Sequence, residues 1–155
     1  MAQGLREELK QTRPFPRRSA EAAVSVMRTA AILEHELNDV LKPSGLTLTQ
    51  YNVLRILRGA GEKGLCGREV GERLISAVPD VSRLLERMEE VGLISRERDS
   101  GDRRHVTARL SDTGRRVLES VTPGLEAVER ARFGRLSESA LQAMISSLAH
   151  VRENP

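Results

Sequence analysis

The residues best suited to chemistry in this chain are arginines at two places. Asp99-Ser100-Gly101-Asp102-Arg103-Arg104 has the composition of a tight turn. A turn uses Asp, Ser and Gly for its backbone angles, but it has no need of two consecutive arginines. A guanidinium on a loop tip can enter the narrow, electronegative minor groove of A·T-rich duplex DNA, and Asp102 is close enough to brace Arg104. The second place is upstream, at Pro79, Asp80, Ser82, Arg83 and Arg87. Helical spacing puts Asp80, Arg83 and Arg87 opposite an apolar side made of Val81, Leu84, Leu85 and Met88. Arg83 suits the O6 and N7 atoms of guanine. Ser82 suits a phosphate or a base edge. Asp80 either accepts from cytosine N4 or caps its own helix. Arg87, a turn further on, either touches phosphate or pairs with Glu86 or Glu90. Ser76, in the turn before this helix, completes the candidate set.

The elements that must carry these residues follow from periodicity. Residues 1–18, with Pro14 and Pro16, read as an arm or short helix. From Ser19, Ala23, Met27, Ala30, Leu33, Leu37 and Val40 or Leu41 recur at helical spacing until Lys42-Pro43-Ser44-Gly45. Thr47 and Gln50 have capping-box spacing, starting a helix through Tyr51, Leu54 and Leu57 that ends near Gly59-Ala60-Gly61. Gly67 to Leu74 is a short helix, and Ile75-Ser76-Ala77-Val78 is a turn. A longer helix is then expected from Pro79, at its first position, to Val91, with Gly92 as the stop. Beyond it the period changes to two, in Ile94 to Asp99 and again in His105 to Leu110, which predicts a β-hairpin. Ser111 caps a helix with Val117 or Leu118, Val121, Leu125 and Val128 on one face. Ser137 caps a last helix with Leu141, Met144 or Ile145, Leu148 and Val151 inside.

Helix, turn, helix and hairpin is the order of a winged helix-turn-helix, whose second helix enters the major groove. The expected fold is mainly α with a small β-hairpin wing. Composition narrows the partners. Net charge is only +3, and the lysines are Lys10, Lys42 and Lys63, so arginine dominates. Residues 76–110 hold as many acids as arginines, whereas a purely electrostatic binder should be strongly positive there. Placed arginines in a neutral segment favour specific readout over non-specific DNA binding. They also weigh against a winged-helix protein-interaction adaptor, which has no use for Arg103 and Arg104. Phe15, Tyr51 and Phe133 are the only aromatics, which disfavours single-strand recognition by stacking. No nucleophile–base pair, Gly-rich phosphate loop or metal motif is visible, so a non-enzyme without cofactor or metal is expected. One cysteine, no long apolar run and a charged start lead to the expectation of a cytoplasmic protein without signal peptide or membrane span.

Three stretches together resemble the multiple-antibiotic-resistance regulator (MarR) family. They are Pro79 to Ile94, Arg96 to Arg104, and Leu110-Ser111-Asp112-Thr113-Gly114. The likeness spans about residues 20–150. It implies an obligate homodimer of triangular shape on pseudo-palindromic promoter sites, with the helix from Pro79 in the major groove and Arg104 in the minor groove. Repression is the commoner behaviour in the family, and many relatives respond to phenolic or lipophilic ligands. Others sense oxidants through a cysteine near the first long helix, or zinc through clustered His, Glu and Cys. This chain has no cysteine there, and His35, His105 and His150 are far apart in sequence. Cys66 is expected to be buried filler in a loop.

The apolar faces of helices 19–41, 112–135 and 137–152 exceed what a winged helix can cover, so a second copy related by two-fold symmetry is expected. The expected division is an arm (1–18), a dimerisation or linking helix (19–42), a DNA-binding domain (46–111) and C-terminal dimerisation helices (112–155). A pocket for an aromatic acid or other lipophilic ligand is expected between the 19–41 helix, Tyr51 and the winged unit.

Overall fold

The computed structural model describes residues 4–98, 101 and 106–153. Its elements, in chain order, are α1 (Leu5–Glu8), α2 (Arg18–Leu41), α3 (Leu48–Ala60), β1 (Leu65–Cys66), α4 (Gly67–Arg73), α5 (Val81–Glu90), β2 (Ile94–Arg98), β3 (Val106–Leu110), α6 (Asp112–Phe133) and α7 (Glu138–Arg152). The starts of α3, α5, α6 and α7 fall where a side chain satisfies one of the first free N–H groups. Thr47 and Gln50 form the reciprocal capping box of α3. Ser111 accepts from the Gly114 N–H at the start of α6, and Ser137 from the Ala140 N–H at the start of α7.

The expected start of α5 needs correction. Pro79 is not its first residue. Asp80 is the N-cap, its carboxylate accepting the Arg83 N–H at 2.9 Å, and the helix begins at Val81. An aspartate acceptor at this spacing meets an otherwise unpaired donor, which proline's fixed φ cannot do. Gly92 does end the helix. Its φ of 77° lets Gly92 N–H reach Glu89 O and Leu93 N–H reach Met88 O, the paired bonds of a Schellman turn.

The sheet has three strands in the order β1-β3-β2, all antiparallel. The hairpin register runs from Ile94↔Leu110 to Arg98↔Val106. Strand β1 was not foreseen, because a two-residue strand carries no period. It pairs Leu65↔Ala108 and Cys66↔Thr107. Gly64 permits the approach: a Cβ there would lie 2.5 Å from the Ala108 carbonyl.

The core gathers Leu41, Leu46, Val53, Leu54, Leu57, Val70, Leu85, Met88, Ile94, Leu118 and Leu125. It therefore lies under the winged unit and where α2 and α6 cross it. The long helices behave differently. On α2, Leu41 is buried and Leu33, Leu37 and Val40 are half-buried, but Ala23, Ala30 and Met27 are exposed. No residue of α7 is buried; Leu141, Met144 and Leu148 are half-buried, while Ile145 and Val151 face outward. The expectation that this face lies inside is thus only partly met within one chain. No described helix is long and apolar enough to cross a membrane.

Candidate nucleic-acid interface

The reading head is assembled from α4, the turn after it, α5 and the strands. Helix α4 is short, and Glu69 secures its start by accepting the Cys66 N–H at 2.9 Å. That bond, with a further one to the Cys66 side chain, holds the Glu69 carboxyl below its ordinary range. Cys66 is thus a half-buried helix cap paired into a sheet, not buried filler in a loop. Gly71 lets α5 approach α4 closely, since a Cβ there would lie 3.2 Å from Val81 Cγ2.

Leu85 and Met88 are buried and Val81 and Leu84 half-buried, which fixes the roll of α5 about its axis. The opposite side is turned outward. Pro79, Asp80, Ser82, Arg83 and Arg87 are all exposed, and so is Ser76 in the preceding turn. Asp80 is committed to capping. Neither Arg83 nor Arg87 takes part in any of the ion pairs found among the described residues, so the pairing of Arg87 with Glu86 or Glu90 is not formed. Asp102, Arg103, Arg104 and His105 lie outside the described residues.

The strands are tied to the helices by groups that periodicity did not single out. Arg96 donates from its backbone N–H and its Nε to the two carboxylate oxygens of Glu89, with Glu86 3.5 Å away. These bonds hold the Glu89 carboxyl below its ordinary range. Arg109, on β3, reaches the Glu62 carbonyl at 2.7 Å and Glu97 at 2.8 Å. The signal for both was present but unspecific: alternating Arg and Glu on a two-residue period also describes a solvated strand face. Between the starts of α4 and α5 and the strands lies an open cleft of about 1330 Å³, lined by Lys63, Arg68, Arg96 and Arg98 and by as many acids, Glu69, Asp80, Glu86 and Glu89.

On the other side of the molecule, a cavity of about 330 Å³ lies among Leu5 and Glu8 of α1, Arg28 and Leu33 of α2, and Arg132 and Phe133 of α6. It does not include Tyr51 or the winged unit, where a ligand pocket was expected. Tyr51 instead packs against the core from α3, half-buried, with Arg55 5.9 Å from its ring centre. Burial raises its phenol above the usual value. No cluster of three or more His, Cys, Asp or Glu that could hold a metal is found among the described residues.

Comparison with known proteins places this architecture. The model of the MarR family matches residues 44–105, from the turn before α3 to the last residue before β3. The HTH-type transcriptional regulator YkoM of Bacillus subtilis (strain 168) is 30% identical over 137 residues, covering 84% of this chain and 86% of YkoM. Sco3205, a MarR family transcriptional regulator from Streptomyces coelicolor solved in complex with DNA, superposes with a TM-score of 0.74 at 23% identity, covering 91% of this chain and 90% of Sco3205. BpsR of Bordetella bronchiseptica, whose DNA binding is regulated by 6-hydroxynicotinic acid, superposes with a TM-score of 0.77 at 23% identity, covering 92% of this chain and all of BpsR (100%).

Proposed function

The chain belongs to the MarR family of transcriptional regulators, and from that premise we propose that it binds operator DNA as a homodimer and represses until a small ligand releases it. One observation carries the DNA reading: Arg83 and Arg87 project from the exposed side of α5 and take part in none of the ion pairs among the described residues. Arg83, uncommitted on a helix whose other side is locked into the core, is poised for bidentate contact with guanine, and Arg87, a turn further on, for phosphate. On the same reading Arg103 and Arg104 reach the minor groove. The DNA-bound Sco3205 structure supports this placement at the level of the fold.

The homodimer is supported by the outward apolar residues of α2 and α7, Met27, Ile145 and Val151 among them. On this reading residues 19–42 and 112–155 join the two copies, with 1–18 as an arm, and residues 46–111 bind DNA. Two α5 helices about one DNA turn apart would read half-sites centred about 10 base pairs apart. Release by an aromatic or lipophilic acid is supported by the naming of 6-hydroxynicotinic acid for BpsR. Cys66, serving as a helix cap, is not the sensor on this reading.

The test is selection from a random duplex pool, followed by sequencing. A pseudo-palindromic motif with half-sites about 10 base pairs apart supports the reading; retention without any motif makes the protein a non-specific binder. With the motif in hand, wild type and Cys66→Ser are assayed for release by aromatic acids and by peroxide. Equal release of both proteins by an acid supports ligand control. Release of wild type alone by peroxide would make Cys66 a redox switch instead.

A further inference from the structure

Among the described residues one polar side chain is buried within the core, that of Asn52 on α3. It is 8% exposed, while its helix neighbours Val53, Leu54 and Leu57 are fully buried. A carboxamide in such a place is costly unless it is bonded. The Asn52 Oδ1 accepts the Ile75 N–H at 2.9 Å, across 23 positions of sequence. That donor has a particular need. Leu74 closes α4 with extended backbone angles (φ −66°, ψ 141°), so the chain has left the helix and Ile75 finds no acceptor within it. The Ile75 side chain gives no alternative anchor, because it is 80% exposed. The first residue of the turn leading to α5 is therefore held by its backbone alone, from a helix that is itself locked into the core.

We infer that Asn52 is a positioning residue for DNA reading: its bond to Ile75 fixes the turn that sets where Ser76, Ser82 and Arg83 meet the bases. The inference rests on the DNA role proposed above. Non-specific binding depends on summed charge and tolerates a displaced turn, whereas base readout depends on where each side chain arrives. Loss of the bond thus lowers discrimination more than it lowers attraction to DNA. A side chain that merely stabilises the fold would lower the melting temperature and leave discrimination alone.

The experiment uses the full chain and two duplexes, the sequence best retained from the random pool and a shuffled version of it, at one salt concentration. Asn52→Ala is expected to bind the selected duplex about tenfold more weakly, the scale of one buried donor left without its acceptor, and the shuffled duplex as wild type does. Asn52→Asp keeps an acceptor oxygen and is expected to restore the preference even if the protein melts earlier. Amide exchange by NMR reads the bond directly: Ile75 should exchange slowly in wild type and in Asn52→Asp, and fast in Asn52→Ala. A folded Asn52→Ala with wild-type preference overturns the inference. So does an Ile75 amide that exchanges in wild type as fast as those of Ser76 and Ala77, a measurement that stands even if the alanine variant does not fold. Wild type without preference for any duplex sinks the DNA reading itself, and the inference with it.

Discussion

Glu89 and Arg96 meet through two parallel bonds, of 3.0 Å from the Arg96 backbone N–H and 2.8 Å from its Nε. One carboxylate from the last turn of α5 thereby holds both the main chain and the side chain of β2. The angle between the proposed reading helix and the wing is set by this pair, together with the Schellman turn at Gly92 and the Ser111 hydroxyl, which donates to the Gly92 carbonyl at 2.6 Å.

Because the Arg96 bonds hold the Glu89 carboxyl below its ordinary range, the pair contributes stability that depends on pH. A depressed carboxyl contributes fully above its unfolded value of about 4.3, and the contribution is lost as pH falls through the folded value. Thermal melts of wild type should therefore fall more steeply below about pH 4.3 than those of Glu89→Gln. At neutral pH Glu89→Gln should be less stable by about 0.5–1 kcal/mol, a figure kept small because both side chains touch solvent. Identical acid limbs for the two proteins would show that the pair contributes nothing.

Arg83 and Arg87 should differ in kind. Arg83→Ala is expected to cost about 1–3 kcal/mol on the selected operator and to relax preference at one base position. Arg87→Ala is expected to weaken all duplexes alike and to reduce the slope of log affinity against log salt by about one. Binding isotherms at several salt concentrations separate the two. Equal, sequence-independent losses would reassign Arg83 to phosphate.

Arg104→Ala should weaken operator binding by about 1–3 kcal/mol while leaving the melting temperature unchanged. The loss should be greatest where the operator flanks are A·T-rich, the sequence that narrows the minor groove. Unchanged affinity at matched salt would remove the wing tip from the interface.

Two glycines of α6 mark close approaches with different remedies. A Cβ at Gly124 would lie 2.7 Å from Val40 Cγ1, a side chain that can be trimmed. A Cβ at Gly114 would run into the Leu93 carbonyl, which is backbone. Each alanine variant should lose about 1–3 kcal/mol by overpacking. Val40→Ala should recover part of the loss for Gly124→Ala, and no single side-chain change should do so for Gly114→Ala. Chemical denaturation of the single and double variants measures this.

Removing residues 137–155 should shift the protein from dimer to monomer or aggregate and weaken operator binding steeply, since two linked half-site contacts become one. Sedimentation at micromolar concentration reads the first effect and titration the second. A truncated chain that stays dimeric would place the interface on α2 and α6 alone.

Much of this architecture was legible because its boundaries are chemical. Thr47 with Gln50, Ser111, Ser137 and Gly92 each ended or began an element where expected, and the change of period after Leu93 marked the hairpin. The start of α5 was misplaced by two residues because proline and aspartate both favour helix entry, and only geometry decides which one caps. Strand β1 was invisible: Leu65 and Cys66 are too few to show alternation, and their pairing depends on Gly64 approaching a strand far away in sequence. On the interface, the exposure of Ser82, Arg83 and Arg87 followed from the apolar stripe opposite them. The tethers did not. Asn52 reads as an ordinary polar residue in a helix, and its partner, Ile75, is a backbone group that no side-chain pattern announces.

The central position of β3 has a consequence for how such a protein can diversify. Paired on one side with β1 and on the other with β2, β3 is held as far as the Arg98↔Val106 rung, and Arg109 pins it to the loop after α3. The frame on either side of the stretch joining Arg98 to Val106 is thus fixed by backbone pairing. A change of residue type in that stretch starts from strands already in register, and the groove contact proposed for it can change without re-pairing them. Changes in α5 are more confined, because Val81, Leu84, Leu85 and Met88 are also walls of the core.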